Sequence, residues 1–487
     1  MRDAGSGETV MTSVGLRWFT GPRRLIGLIC KGLMTGLIAA TAMTILAGHR
    51  ATGEVDSPPP KQGRSQPALI RLDETLTAPD SGRLAATLAP LLANPELGTL
   101  TGQVADAMTG QLLWTQGERV PMQPASTTKV LTAAAALLTL DRDARLTTRV
   151  VTPARSGKPG QIVLVGGGDP ALSAAPSDQD SWIRDAARIG DLAEQVRRSG
   201  FTPTSIQVDT SQFSGAEMAP GWDPADIDGG DIAPIESVML DGGRTQPATA
   251  DSPRSHTPAL DAGRALADAL GLDPADVVLT ATPTVGRDIA SVQSPPLMER
   301  LRTMMNTSDD VLAEAIGREV AAATHHPQSF AGTVQAVLDT VLNFGIDLND
   351  ASLHDASGLS TEDRLTADTL DQVLNTAASS KHQQLRPLLD LLPVAGRSGT
   401  LAHRFLDHDT QAAAGWLRAK TGTLTGTNAL AGIVTNVDGR VLTFALIANG
   451  AGPHGRAALD TVAAALRSYD CETPTSADGL PVGEPPP

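Results

Sequence analysis

A run of alanine, leucine and other apolar residues covers positions 127–140, directly after Pro124-Ala125-Ser126. Lys129 lies near its start, and no charged side chain follows it within the run. A helix that is apolar on all faces is normally buried in a protein core. The run therefore predicts a central helix that begins close to Ser126 and Lys129.

Three apolar segments follow one another at short intervals near the C-terminus. Residues 417–423, 429–437 and 441–447 predict strands, and the dipeptide Asp438-Gly439 is typical of a tight hairpin. Residues 456–468 have apolar positions at helical spacing and should pack on the sheet. An antiparallel sheet covered by helices predicts an α+β fold.

The N-terminal pattern is that of an export signal. Residues 25–47 are apolar except for Lys31 and a few threonines, and arginines at positions 17, 23 and 24 precede them. A basic flank before an apolar run predicts either a signal peptide, with Ala40 and Ala42 at a small-residue cleavage site, or a membrane anchor. Lys31 leaves an apolar stretch of about 16 residues against the roughly 20 of a spanning helix. Both alternatives stay open.

Composition and charge narrow the function classes. The chain is 41% hydrophobic and 19% charged, which is typical of a globular protein. It has 54 acidic against 38 basic side chains, a net charge of −16, which argues against nucleic acid as a partner. Of the two cysteines, Cys30 lies in the apolar N-terminal run and Cys471 near the end, so they indicate no disulfide framework.

Ser126 and Lys129 form an SxxK motif, and a spacing of three residues places both side chains on one helix face. A serine becomes a good nucleophile when a base takes its proton, and a lysine desolvated among apolar residues can be that base. The alternative is a capping serine next to a solvated lysine. The chain has only six lysines, and this one is followed at once by an apolar run, which favours the catalytic interpretation.

Two further segments carry polar groups at strand and helix ends. Residues 420–423 read Lys-Thr-Gly-Thr at the end of a predicted strand, where a glycine lets another backbone approach closely. Residues 307–310 read Thr-Ser-Asp-Asp before a helical pattern over 311–320, where Ser308 would by default be an N-cap. Each segment alone is weak, but the order SxxK, SxD, KTG is much less expected by chance.

This constellation resembles the active-site serine penicillin-recognising enzymes, whose motifs are SxxK, SxN and KTG on one α+β domain. The long stretch between Ser126 and Ser308 requires an inserted region. The chain therefore resembles, over about 95–468, the D-alanyl-D-alanine carboxypeptidase/endopeptidase family of low-molecular-mass penicillin-binding proteins with inserted domains. Residues 167–170, 355–360 and 419–424 fit that family's pattern as well.

The resemblance implies a penicillin-binding/β-lactamase-like transpeptidase domain, an antiparallel sheet with helices, interrupted by an inserted region. It implies hydrolysis of peptidoglycan stem peptides through an acyl-enzyme on Ser126, with β-lactams as covalent inhibitors. The implied catalytic residues are Ser126, Lys129 and Ser308; the implied substrate-binding residues are Asp310, Lys420, Thr421, Gly422 and Thr423. Backbone N–H groups of Ser126 and Thr423 would form the oxyanion hole. No cofactor or metal is implied.

Composition and the resemblance together divide the chain into segments. We expect a cytoplasmic basic tail (1–24), a signal peptide or anchor (25–47), a flexible linker (48–83), a first part of the transpeptidase-like domain (84–155), inserted domains (156–290), a second part (291–470) and a disordered tail (471–487). The expected location is outside the cytoplasm, in the cell envelope, with the membrane as a partner if residues 25–47 are retained.

Two departures from the family pattern matter. Asp310 stands where the family has asparagine, and the only tyrosine is Tyr469, so a tyrosine base between the motifs is excluded and Ser308 must fill that place. Three alternatives follow: a β-lactamase, a catalytically weak or silent penicillin-binding wall protein, and a generic esterase. The histidine pairs have no zinc-ligand spacing, and no GxSxG elbow occurs.

Overall fold

The computed structural model describes residues 81–155, 158–246 and 252–469. The predicted basic tail, the signal peptide or anchor, and the C-terminal tail lie outside these residues, as does nearly all of the predicted linker. Within the three described ranges, no helix combines the length and the apolar character that crossing a membrane needs.

The helices and strands of the described residues are numbered in chain order. The helices are α1 (Ser81–Leu92), α2 (Lys129–Thr139), α3 (Ile189–Arg198), α4 (Ala225–Gly229), α5 (Pro258–Leu270), α6 (Leu297–Thr307), α7 (Asp310–Ala323), α8 (Phe330–Asn343), α9 (Ala367–Ala378), α10 (Pro387–Leu391) and α11 (Gly455–Ser468). The strands are β1 (Thr99–Asp106), β2 (Leu112–Gln116), β3 (Thr147–Pro153), β4 (Gln161–Val165), β5 (Ser205–Asp209), β6 (Val278–Thr280), β7 (Gly286–Gln293), β8 (Leu417–Leu424), β9 (Thr427–Thr435) and β10 (Val441–Asn449).

The first sheet has the strand order β2-β1-β10-β9-β8, and all its neighbouring strands are antiparallel. Its last three strands form the predicted meander, and α11 follows as the predicted helix. Strand β9 ends at Thr435, two residues before the predicted end. The antiparallel sheet therefore joins the N-terminal and C-terminal parts of the described chain, because β1 pairs with β10.

Alternating side chains of this sheet pack into two different cores. Ala429 and Ala431 belong to the cluster that contains α2, whereas Leu430 and Val434 belong to the cluster that contains α1 and α11. This is the two-residue period of a strand with helices on both faces. The sheet is consequently buried on both sides, and α2 is buried from Lys129 to Leu137, as predicted.

A second sheet is formed by residues between α2 and α6. Its order is β6-β5-β4-β3-β7, with β4, β5 and β6 parallel and β3 antiparallel to both of its neighbours. Helices α3 and α5 contribute to a separate apolar core with this sheet. The sheet runs from Thr147 to Gln293, so it takes in residues on both sides of the predicted boundaries at 156 and 290. The division into domains itself stays a prediction.

Candidate active site

Ser126 lies in a single 3₁₀ turn, Ala125–Thr128, that leads directly into α2. The turn begins with Ala125 in a left-handed conformation, with φ of 49°, which few non-glycine residues adopt. Ser126 is half-buried, and the N-cap of α2 is Thr128 rather than Ser126. The capping alternative for Ser126 is therefore wrong.

Lys129 is completely buried and has three acceptors. Its Nζ lies 3.0 Å from Ser126 Oγ and 2.8 Å from the carbonyl oxygen of Ser357, and it contacts the carboxylate of Asp310 directly. A buried amine needs such partners, because an unpaired polar group in the interior is unfavourable. The alternative of a solvated lysine is thus wrong as well, and the SxxK pair is brought into contact as predicted.

Two glycines allow neighbouring segments to approach the Ser126 turn. A Cβ added to Gly422 on β8 would lie 2.6 Å from the carbonyl oxygen of Pro124, and one added to Gly358 would lie 2.0 Å from that of Ala125. Real Cβ atoms do not come that close, so only glycine fits at either position. The Lys-Thr-Gly strand and the loop after residue 354 consequently enclose the serine from two directions.

The loop over residues 355–360 is organised by one buried carboxylate, Asp355. Its Oδ1 accepts hydrogen bonds from the N–H groups of Ser357 (3.0 Å) and Gly358 (2.6 Å), and its Oδ2 accepts from Trp222 Nε1 (2.7 Å). This arrangement turns the Ser357 carbonyl toward Lys129. Asp355 therefore holds one of the three acceptors of Lys129 in place.

The middle motif lies between α6 and α7. Ser308 has a left-handed backbone conformation, with φ of 60°, and Asp309 is the N-cap of α7, where its side chain accepts from Leu312 N at 2.8 Å. The expectation that Ser308 would be the cap by default is wrong, because aspartate is an equally good N-cap and lies one residue closer to the helix. Ser308 Oγ is instead free to accept a hydrogen bond from Lys420 Nζ at 2.8 Å.

Lys420 is the second fully buried lysine at the site. Its Nζ also donates to the carbonyl oxygen of Thr421 at 2.9 Å. Burial, together with the nearby positive charge of Lys129, lowers the pKa of Lys420 well below its ordinary value. Thr421 is buried and donates to Thr400 Oγ1 at 2.9 Å, whereas the side chain of Thr423 is exposed.

Asp310, the first residue of α7, is the carboxylate that replaces an expected asparagine. Burial raises the pKa of Asp310 to about 6, although contact with Lys129 acts in the opposite direction. Its position explains the contact, because α7 starts two residues after Ser308 and points its first turn at α2. All eight predicted site residues are therefore brought together around the start of α2 and the end of β8.

Several residues that shape the site were not singled out from the sequence. Asp355 and Ser357 lie in a segment noted only because it fits the family pattern. No sequence pattern pointed to Trp222, Arg244 or Arg254. Arg244 and Arg254 both contact Asp309, and Trp222 contacts Asp355. These partners lie 55 to 133 positions apart in the chain, so no local spacing could reveal them.

Comparisons with known proteins identify the family of the chain. The model of the D-Ala-D-Ala carboxypeptidase 3 (S13) family matches residues 84–254 and 248–469. The chain is 58% identical over 457 residues to Carboxypeptidase DacB of Mycolicibacterium smegmatis, covering 93% of this chain and 99% of the relative. It is 54% identical over 458 residues to Carboxypeptidase Rv3627c of Mycobacterium tuberculosis, covering 94% of this chain and 99% of the relative.

The fold is similar to the crystal structure of penicillin binding protein 4 (dacB) from Haemophilus influenzae, with a TM-score of 0.65 and 22% identity, over 80% of this chain and 100% of that one. This similarity confirms the predicted α+β, penicillin-binding class of fold. Because the family model covers nearly all of the described residues and the two mycobacterial relatives are matched almost end to end, this chain belongs to the D-Ala-D-Ala carboxypeptidase 3 (S13) family.

Proposed function

We propose that this protein is a serine-type D-alanyl-D-alanine carboxypeptidase that cleaves peptidoglycan stem peptides through an acyl-enzyme on Ser126. The observation that carries the proposal is the pair formed by Ser126 Oγ and the fully buried Lys129 Nζ, 3.0 Å apart. That distance lies within reach for direct proton transfer. The family to which the chain belongs supplies the substrate class, a terminal D-Ala-D-Ala.

In acylation, the neutral amine of Lys129 accepts the hydroxyl proton while Ser126 Oγ bonds to the penultimate D-Ala carbonyl carbon. The carbonyl oxygen becomes an oxyanion, for which the N–H groups of Ser126 and Thr423 are the donors. Collapse of this intermediate breaks the peptide C–N bond: the Ser308 hydroxyl gives its proton to the departing amine of D-Ala and is reprotonated by the proton that Lys129 took from Ser126, which restores the neutral amine of Lys129. A water molecule then attacks the ester, releasing the shortened peptide and restoring the Ser126 hydroxyl.

The charge of the substrate suits the Lys420 end of the site. A terminal carboxylate placed beside Lys420 would favour the ammonium form of that lysine, whose pKa burial has lowered. Thr423 is exposed on the same strand and can donate a hydrogen bond to the carboxylate. Thr421 and Gly422 serve this strand indirectly, through the contact with Thr400 and the close approach to Pro124.

β-Lactams should act as covalent inhibitors, because their reactive amide lies next to a carboxylate as the scissile bond of the substrate does. Endopeptidase action on cross-linked stem peptides would use the same acyl-enzyme. Since the substrate lies in the cell envelope, we place the protein outside the cytoplasm, exported by residues 25–47 as signal peptide or anchor. Contact between Asp310 and Lys129 favours one second candidate, a penicillin-binding protein with slow turnover.

Intact mass after penicillin treatment tests the proposal directly. We expect a single covalent adduct on the wild-type protein, loss of the adduct in Ser126→Ala, and release of D-alanine from a D-Ala-D-Ala pentapeptide by the wild type only. Ser329→Ala is the matched control, because Ser329 caps α8 without a lysine partner and its loss should leave labelling unchanged. An adduct that persists in Ser126→Ala would show that another residue is the nucleophile.

A further inference from the structure

Asp309 is the middle residue of the SxD motif, and its side chain has no step in the proposed reaction. It lies between Ser308, which accepts from Lys420, and Asp310, which contacts Lys129. Its side chain is only 1% exposed, so it does not reach substrate. A buried carboxylate must nevertheless be compensated by positive charge or hydrogen bonds.

The compensation comes from the region between α2 and α6, which contains the second sheet. Arg244 Nη2 and Arg254 Nη2 both donate to Asp309 Oδ2, at 2.9 Å and 3.1 Å, and both arginine side chains are buried. Burial raises the pKa of Asp309, but Arg254 and Arg244 outweigh it and hold this pKa at about 2. Asp309 is therefore a carboxylate under all ordinary conditions.

Both arginines are themselves held in position. Arg254 Nε donates to the carbonyl oxygen of Gly230 at 2.8 Å, and the guanidinium of Arg244 lies 3.8 Å from the ring centre of Trp182. Planar guanidinium groups fixed in this way form well-defined contacts with a carboxylate. The contact thus connects the middle motif to the region between α2 and α6.

The contact bears on the backbone conformation of Ser308. Its left-handed backbone is unfavourable for a residue with a Cβ and persists only where the surrounding structure imposes it. Asp309 follows it directly, and its other oxygen, Oδ1, caps α7. One carboxylate therefore fixes the start of α7 and, through the backbone, the orientation of Ser308.

We propose that Arg244 and Arg254 form a clamp on Asp309 that positions Ser308 for acylation. On this view the inserted region is part of the catalytic apparatus, and Asp309 is a positioning residue. The inference rests on the proposed acylation of Ser126. If wild-type protein is not acylated, the proposed function fails; if it is acylated and the variants below are acylated equally fast, only the clamp fails.

The decisive variant is Asp309→Asn, because asparagine caps a helix as well as aspartate but removes the charge that the arginines bind. We expect the rate constant of acylation by penicillin to fall roughly tenfold or more, since displacement of a reacting group by about 1 Å can slow a reaction about 10²-fold. The affinity of the preceding non-covalent complex should change less than threefold. Arg244→Met and Arg254→Met, which leave Asp309 one partner each, should give smaller losses in the same direction.

Arg440→Met is the matched control, because it also breaks a buried ion pair, with Asp106 at the far end of β1. It should leave the acylation rate within twofold at a temperature where both proteins are folded. In a double-mutant cycle, Asp309→Asn should lose most of its effect when both arginines are already methionine. Three results would each overturn the clamp. The Asp309→Asn protein could be acylated at the wild-type rate, its rate could fall only as much as that of Arg440→Met, or the effects in the cycle could be additive.

Discussion

Two lysines are completely buried at the site, and each has a different set of neighbours. Lys129 contacts a hydroxyl, a carbonyl and a carboxylate, whereas Lys420 contacts a hydroxyl and a carbonyl. The sequence predicted the Ser126 contact from the spacing of the SxxK motif, because residues three apart share a helix face. It could not predict the Ser357 carbonyl, which arrives from another part of the chain.

The carboxylate of Asp310 bears most directly on the rate of the reaction. An ionised carboxylate can only accept hydrogen bonds, so this contact holds Lys129 Nζ as a donor, whereas the proposed reaction needs Nζ to accept the Ser126 proton. We therefore expect Asp310→Asn, whose amide can also donate a hydrogen bond to Nζ, to accelerate penicillin acylation at neutral pH by roughly tenfold or more, since a well-placed proton acceptor contributes about 10²- to 10⁴-fold. The pH dependence of the rate should change as well, because the variant lacks the Asp310 carboxyl, whose pKa lies at about 6. Stopped-flow acylation rates from pH 5 to 9 provide the measurement.

The competing role for Asp310 is stabilisation of the α7 N-terminus, where it is the first helical residue. A carboxylate there contributes about 0.3 to 1 kcal/mol. If this were its only role, Asp310→Asn would leave the rate and its pH dependence unchanged and lower the unfolding free energy slightly. An equal or slower rate in the asparagine variant is the result that contradicts the catalytic hypothesis.

At the scale of secondary-structure elements, strands β8 to β10 were easier to predict than the approach of β8 to the turn that contains Ser126. Residues 417–449 alternate between two cores and contain a strong hairpin signal, so their pattern alone defines β8 to β10. The 3₁₀ turn before α2 was missed, because its left-handed Ala125 has no sequence signature. The choice of Asp309 over Ser308 as the cap was equally hidden, since both residue types cap helices well.

The close approach of strand β8 to the turn that contains Ser126 requires a residue without a side chain at Gly422. An added Cβ would lie 2.6 Å from Pro124 O and 3.1 Å from the Cβ atoms of Ala125 and Ala429, so backbone must move. We expect Gly422→Ala to reduce the acylation rate roughly 10- to 100-fold, because the turn carrying Ser126 would be displaced. Rate measurements with a chromogenic β-lactam provide the test.

Gly190→Ala is the control for this prediction. Gly190 lies in α3, has no positive φ, and a Cβ there would meet no atom within 4 Å. Alanine at such a site usually stabilises a protein by about 0.4 to 1 kcal/mol. A Gly422→Ala protein that acylates as fast as Gly190→Ala would show that β8 has room beside the turn.

On the scale of the whole molecule, the three motifs are distant in sequence and adjacent in space. The first sheet receives strands from both ends of the described chain, while residues 147–293 build a separate sheet between the first and second motifs. The motif order was sufficient to predict the family. The mixed pairing of the second sheet was not predictable, because its strands are short and its parallel pairs are joined by long connections.

Behind the site lies a buried region that contains more acidic than basic side chains. Asp355, Asp363 and Glu314 are all fully buried, and Arg318 is paired with Glu314 alone. Burial, followed by the charge of Asp355 and a hydrogen bond to it, raises the pKa of Asp363 to about 10, and burial together with Asp355 raises that of Glu314 to about 7. The folded protein therefore keeps protons that the unfolded chain would release at neutral pH.

Because the folded protein binds more protons than the unfolded chain, its free energy of unfolding depends on pH. A carboxyl group whose pKa is raised on folding stabilises the folded state fully below its unfolded pKa, and the contribution is lost as pH rises toward the folded pKa. For Asp363 that window extends from about 4 to 10. The wild-type free energy of unfolding should accordingly be higher at pH 5 than at pH 8.

Asp363→Asn should remove the largest part of this dependence, because asparagine resembles the neutral acid and can still accept from His354 N. We expect the difference in unfolding free energy between pH 5 and pH 8 to shrink by as much as about 4 kcal/mol, since each pH unit in the window corresponds to about 1.4 kcal/mol. Urea unfolding at both pH values measures it, with exposed Asp276→Asn as the control. If Asp363→Asn kept the wild-type difference, Asp363 would be ionised in the folded protein, and the buried acidic region would have to be balanced by a positive charge close to Asp355.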